Sequence, residues 1–159
     1  MQASFSGSQT SERFRRRVVP VFTLRKATPD DVPALLEFWR TAAENAARPD
    51  DSGTAVQNLI TRDPDALILA VDAHDHLVGT VVAGFDGWRC HLYRLAVAPT
   101  HRRQGLATAL IDAAEQRFRA LGGTRSDAMV LDDNIPAQSA WWARGYRLQE
   151  EWSRWVRPL

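Results

Sequence analysis

The chain has 159 residues, enough for one domain with a real core, and is 45% hydrophobic and 25% charged, the balance of a globular protein. A net charge of +1 gives the folded part no electrostatic reason to hold nucleic acid. The single cysteine, Cys90, excludes an intrachain disulfide and a thiolate zinc cluster and fits a reducing, cytoplasmic setting. No apolar run approaches the ~20 residues of a membrane-spanning helix, so no membrane partner is expected.

The first twenty residues are polar and carry Arg13, Arg15, Arg16 and Arg17 against Glu12. They have no apolar signal core, so residues 1–20 read as a disordered basic arm, with a Ser- and Arg-rich transit peptide as the alternative. A single domain is expected over residues 21–159. "VFTLRKA", Val21 to Ala27, alternates as a first strand. Thr28, Pro29, Asp30 and Asp31 suit a helix start, and Leu35, Leu36, Phe38 and Trp39 supply the buried stripe of the helix that follows. "DDSGTAVQNLITRDPD" is a shorter second helix, closed by Pro64. "ALILAVD" and "LVGTVVAGF" form a hairpin across "AHDHL", where His74 and His76 read as solvated turn residues rather than metal ligands.

Asp86 and Gly87 then turn the chain into "CHLYRLAVAP", a strand that stops at Pro99. A long helix is expected from Arg103 to Leu121, buried through Leu106, Leu110, Ala113, Ala114, Phe118 and Leu121. Gly122 and Gly123 close it. "TRSDAMVL" is a fifth strand, and a short helix runs from Asn134 to Gly145. "YRLQEEWSRWVRPL" reads as a terminal hairpin around Glu150, with Trp152 and Trp155 packing internally or against a second copy in a homodimer. The order β-α-α-β-β-β-α-β-α-β-β makes an α/β fold with a mixed, mostly antiparallel central sheet flanked by helices.

Chemistry concentrates where a strand runs into a helix. "HRRQGLA", His101 to Ala107, puts cations at a helix N-terminus, where the helix dipole disfavours them. The unpaired amides of a first helical turn suit phosphate, Gly105 lets the backbone approach, and Arg102 and Arg103 can grip a diphosphate bidentately. Ala107 keeps the next turn small and Thr108 can add a hydroxyl.

"LAVAPTHRRQGLATALI" resembles the acetyl-CoA motif of the GNAT (Gcn5-related) N-acetyltransferases, whose R/Q-x-x-G-x-G/A falls on Arg102, Gly105 and Ala107. "NIPAQSAWWARGY" resembles the family's second signature at Asn134, Ala137, Gly145 and Tyr146. The likeness covers about Val21 to Val156, and is strongest to small bacterial acetyltransferases of unassigned substrate. It implies a GNAT fold and acetyl-CoA as the cofactor. It implies that the backbone of Arg103, Gln104, Gly105, Leu106, Ala107 and Thr108 cradles the CoA diphosphate. Leu95, Ala96 and Val97 would pair with the pantetheine amides, and Asn134 would bond the cofactor near the thioester. The family's usual acid, a Tyr seven residues after the Asn, falls on Trp141, which cannot protonate a thiolate. Trp141 and Trp142 read as packing residues, Trp141 beside the CoA groove.

Acetyl transfer needs a neutral amine, so a base that titrates near neutrality is wanted. His91 and Tyr93 stand two apart on one strand and share a face. By resemblance, His91, six residues before Val97, falls where Gcn5-type enzymes have a catalytic Glu, and both positions match a His-Leu-His run of arylalkylamine N-acetyltransferases. His91 is therefore expected as general base and Tyr93 as acid or relay, provided that no bulge interrupts the strand. Cys90 faces the other way and reads as buried and inert. For the amine acceptor, a small molecule or a protein amine, the expected contacts are Glu37, Trp39 and Glu44 from the first helix and Asp86, Trp88 and Arg89 from the turn. The reading is an N-acetyltransferase working by direct attack in a ternary complex; because of Trp141, the alternative is a CoA-binding regulatory or interaction module with weak turnover. Nucleic-acid binding through Arg13 to Arg17 would be confined to the arm.

Overall fold

Five strands and four helices form within residues 22–42 and 50–157, the part of the chain that the computed structural model describes. The basic arm and Glu44 lie outside the described residues. In chain order the elements are β1 (Phe22–Lys26), α1 (Val32–Ala42), α2 (Gly53–Arg62), β2 (Leu67–Asp72), β3 (Leu77–Phe85), β4 (Cys90–Val97), α3 (Leu106–Ala120), β5 (Ser126–Ala128) and α4 (Ile135–Ala143). One sheet runs β1-β2-β3-β4-β5, antiparallel throughout except for the parallel β4–β5 pair. A parallel pair needs a crossover, and α3 supplies it.

Helices cover both faces. Leu35 and Trp39 of α1 with Val56 and Ile60 of α2 pack on Leu67, Leu69 and Val82. On the other face Leu106, Leu110, Ile111 and Phe118 of α3 pack on Ile68, Val78, Ala83 and Leu92. That double cover explains why β2 and β3 are almost continuously apolar rather than alternating. Arg117 ties α3 to the end of α2 and to β3, donating to both Asp63 oxygens at 2.5 and 2.6 Å and to the Ala83 carbonyl at 3.1 Å. Local chemistry sets the helix starts. The Ser52 hydroxyl accepts from the Ala55 N–H at 3.1 Å to open α2, and Asn134 does the same for the Ala137 N–H at 3.1 Å to open α4. A 3-10 turn, Pro29–Asp31, precedes α1, and its Asp31 carboxylate accepts from the Thr28 N–H at 2.7 Å.

Four expectations are corrected. The long helix starts at Leu106 rather than Arg103, because Arg103 and Gly105 take left-handed backbone, φ +60° and +80°, which a helix cannot include. Its apolar stripe takes Ile111 and leaves Leu121 exposed. The fifth strand is three residues long. The terminal hairpin does not form among the described residues: Trp152 and Trp155 are exposed, and no strand follows α4. The start of this segment is instead held to the end of α4: Arg147 donates to the Trp142 carbonyl at 3.1 Å and lies 4.2 Å over the Trp142 ring.

Candidate active site

β4 and β5 pair only through Cys90–Ser126, His91–Asp127 and Leu92–Ala128. Beyond them β5 ends while β4 runs on to Val97. The two segments part, and a cleft of about 790 Å³ opens between residues 93–97 and residues 129–131. Such a position, beyond the carboxyl ends of parallel strands, is where open α/β sheets bind ligands.

A bulge shapes the β4 wall. Thr80 pairs with Ala96 and Val82 with Tyr93, so Val81 alone opposes both Arg94 and Leu95. Arg94 takes φ +52° there. The fully buried Thr80 hydroxyl donates to the Arg94 carbonyl at 2.7 Å and accepts from Trp39 Nε1 at 2.9 Å, which pins the bulge to α1. Side-chain alternation reverses across it. Cys90 and Leu92 face the α3 layer before the bulge, whereas Leu95 and Val97 do so after it and Ala96 faces the α1–α2 layer. Counting back from Val97 to His91 assumed unbroken alternation, and the bulge breaks that assumption. His91 and Tyr93 both precede the bulge and keep a common face, with rings stacked 5.6 Å apart.

At the other end of the cleft, α3 begins without a side-chain cap, unlike α2 and α4. Its N-cap is Gly105, so the first-turn amides have neither an intrahelical partner nor a capping oxygen. Arg102, Arg103 and Ala107 line the cleft, and Arg102 Nε lies 3.4 Å from the Val97 carbonyl. Leu95, Ala96, Val97, Asn134 and Trp141 line it too. Gln104 bends back to the Thr100 carbonyl at 3.0 Å, and the Leu106 side chain is buried in the core; neither residue lines the cleft, nor do Gly105 and Thr108. Trp141 is buried edge-on against Tyr146, whose hydroxyl is shared between Ser126 Oγ at 2.7 Å and Glu115 Oε1 at 3.2 Å. This arrangement suits a long ligand with an anionic head and an amide-bearing arm. The head would meet α3 and two guanidinium groups, and the arm would lie along β4.

At the apex of the wedge, His91 Nδ1 is hydrogen-bonded to Asp127 Oδ1. Burial pushes the Tyr93 phenol above its ordinary value, so it keeps its proton through neutral pH. Burial also pushes the Cys90 thiol up, away from nucleophilic thiolate.

The residues expected at the acceptor end divide. Trp39 lines the cleft. Glu37 pairs on the surface with Arg40 at 2.6 and 2.9 Å, away from the cleft. The Asp86 carboxylate caps its own turn, accepting from the Trp88 and Arg89 amides at 2.8 and 2.6 Å. Trp88 is 89% exposed, and none of these three turn residues lines the cleft.

Sequence reasoning missed Asp127 and the Asp51–Arg94 pair. Arg94 Nε and Nη2 meet Asp51 Oδ1 at 2.7 and 2.6 Å, and the guanidinium lies 5.8 Å from the Trp39 ring centre. Asp51 is 43 residues from Arg94, and only the fold reveals that pairing. A signal for Asp127 did exist: an acid in a strand predicted to follow the crossover helix.

Comparison with known proteins agrees with this geometry. The acetyltransferase (GNAT) family pattern matches residues 32–146, and the chain belongs to that family. An acetyltransferase of Pectobacterium atrosepticum is 34% identical over 106 residues, 66% of this chain and 73% of its own. Among solved structures, Ard1 from Thermoplasma volcanium superposes with a TM-score of 0.70 at 20% identity, over 81% of this chain and 84% of its own. Naa20 of Chaetomium thermophilum, solved with a bisubstrate analogue, superposes with a TM-score of 0.66 at 18% identity, over 77% of this chain and 69% of its own. The chain is thus an acyltransferase with the fold of N-acetyltransferases.

Proposed function

We propose that this protein moves acetyl from acetyl-CoA to an amine by direct attack within a ternary complex. The observation that carries the reading is one continuous cleft with the uncapped α3 N-terminus at one end and His91 and Tyr93 at the other. Acetyl-CoA supplies the activated acetyl thioester. The amides of residues 103–108, with Arg102 and Arg103, hold its diphosphate, and residues 95–97 orient its arm. Asn134 and Trp141 line the same groove. The acceptor enters past Trp39, Asp51 and Arg94. His91 takes the amine proton, and Tyr93, protonated at neutral pH, hands one to the departing sulfur. Holding amine and thioester in one cleft supplies much of the rate through proximity alone. The single thiol being buried and inert, a covalent acyl-cysteine route is disfavoured, and a cytoplasmic setting suits such a chain.

The test is thiol release from acetyl-CoA over a panel of small amines and peptide N-termini. Amine-dependent release is expected, and His91→Ala should lower kcat by about 10²-fold, with loss of the acidic limb of the pH–rate profile. Wild-type kcat and profile in that variant would eliminate His91 as the base. A second reading is favoured by Trp141, buried where the family resemblance places an acid: a CoA-binding module with little turnover. Tight CoA binding with no release on any amine would select it.

A further inference from the structure

We propose that Asp127 is a positioning residue for His91. It holds Nδ1 so that Nε2 is the nitrogen presented to the acceptor; the inference rests on the reading of His91 as base.

The register makes the pair. β4 and β5 run parallel with His91 opposite Asp127, so the two side chains stand side by side on one face, one pair short of the point where the strands part. His91 Nδ1 is bonded to Asp127 Oδ1. An ionised carboxylate can only accept, so Nδ1 must be the donor and carry the hydrogen. In neutral imidazole the lone pair is then on Nε2. Tyr93 stacks on the same ring and restrains its tilt. His91 lines the cleft and Asp127 does not, so the carboxylate stands behind the ring rather than beside the acceptor. The side chains are 36% and 47% exposed, so solvent screens their mutual charge, and the contribution of Asp127 is orientation and tautomer choice.

The proton balance is simple. The amine N–H bond breaks as the nitrogen attacks, and an Nε2–H bond forms. The Nδ1–H stays in place, and Asp127 keeps its charge and takes no proton.

The test combines tautomer and kinetics. Long-range proton–nitrogen spectra of 15N-histidine-labelled protein are recorded at pH ~8.5, where ordinary imidazoles are neutral. The His91→Ala spectrum identifies the His91 signals among the four histidines. The wild type should show the Nδ1–H tautomer. Asp127→Ala should lose that preference and lower kcat about tenfold, a part of the ~10²–10⁴ that a general base supplies, with acetyl-CoA KM within about twofold. Asp127→Asn keeps the side-chain shape and guards against a folding artefact. Its amide can donate to Nδ1 as well as accept, so it should give mixed tautomers and an intermediate kcat. Wild-type tautomer and kcat in both variants, with His91→Ala inactive, would overturn this inference alone. A fully active His91→Ala would overturn the base assignment and this inference with it.

Discussion

Under the proposed function, Tyr93 and the two arginines before α3 divide chemistry from binding. Partial burial raises the Tyr93 phenol above its already high ordinary value, and its ring rests on His91, so under the proposed function its hydroxyl is the proton donor at the apex of the cleft. Tyr93→Phe should lower kcat about tenfold while acetyl-CoA KM stays within about twofold, as steady-state kinetics in acetyl-CoA would show. Arg102 and Arg103 act at the other end. Both are exposed, so each contributes less than a buried charge-assisted bond. Replacing both with Ala should raise acetyl-CoA KM about tenfold and leave kcat within about twofold. Equal losses in kcat would place them in the chemistry instead. At this scale, the sequence named several residues that line the cleft, among them His91, Tyr93, Arg102, Asn134 and Trp141. Arg102 and Gly105, and Asn134 and Ala137, stand three residues apart beside predicted helix starts, and short spacings survive folding. Glu37 was misplaced because the way α1 turns on the sheet, set only by packing, leaves it exposed beside Arg40 rather than in the cleft.

β4 and the turn before α1 show how an element depends on one side chain from elsewhere. The β4 bulge is held by the chain from Trp39 Nε1 through the Thr80 hydroxyl to the Arg94 carbonyl. Thr80→Val keeps shape but removes both of these hydrogen bonds. It should destabilise the fold by about 1–3 kcal/mol in denaturant titration and lower kcat by distorting the wall that orients the thioester. The start of α1 has a similar dependence. Arg25 grips Asp31 through Nη1 and Nη2 at 2.8 and 2.7 Å, and chiefly this holds the Asp31 carboxyl at about 2. Its folded value lies below the unfolded one near ~3.9, so the stability it contributes is present above about pH 4 and disappears as pH falls through about 2. Arg25 is 34% exposed, so solvent holds the contribution below about 2 kcal/mol. Asp31→Asn should therefore melt earlier than wild type at pH 7 and together with it near pH 2.

Across the whole molecule, the proposed cofactor loop is placed by how closely α3 lies on the sheet. Gly79 of β3 sits under that helix: a Cβ there would overlap Leu106 Cδ2 and lie 3.1 Å from Leu110 Cδ1. Gly79→Ala should cost about 1–3 kcal/mol and raise acetyl-CoA KM, because relief of the overlap moves the first turn of α3. Chemical denaturation and acetyl-CoA kinetics on one sample would test both. Unchanged KM with lowered stability would show that the loop holds its place independently of α3 packing. No helix among the described residues is long and apolar enough to cross a membrane.

The sequence by itself determined the element order through α4, the helices that flank the sheet, the family, and the glycine-centred loop before α3. Periodicity, caps and motif spacing are short-range, and those features depend on little else. Tertiary structure decided the rest. The three-residue delay in α3 comes from left-handed backbone at Arg103 and Gly105. The bulge depends on Trp39 reaching Thr80, 41 residues away. Asp127 meets His91, 36 residues away, because two parallel strands happen to register there. Pairing of that kind is set when whole layers pack, and a one-residue slip would send Asp127 to the other face.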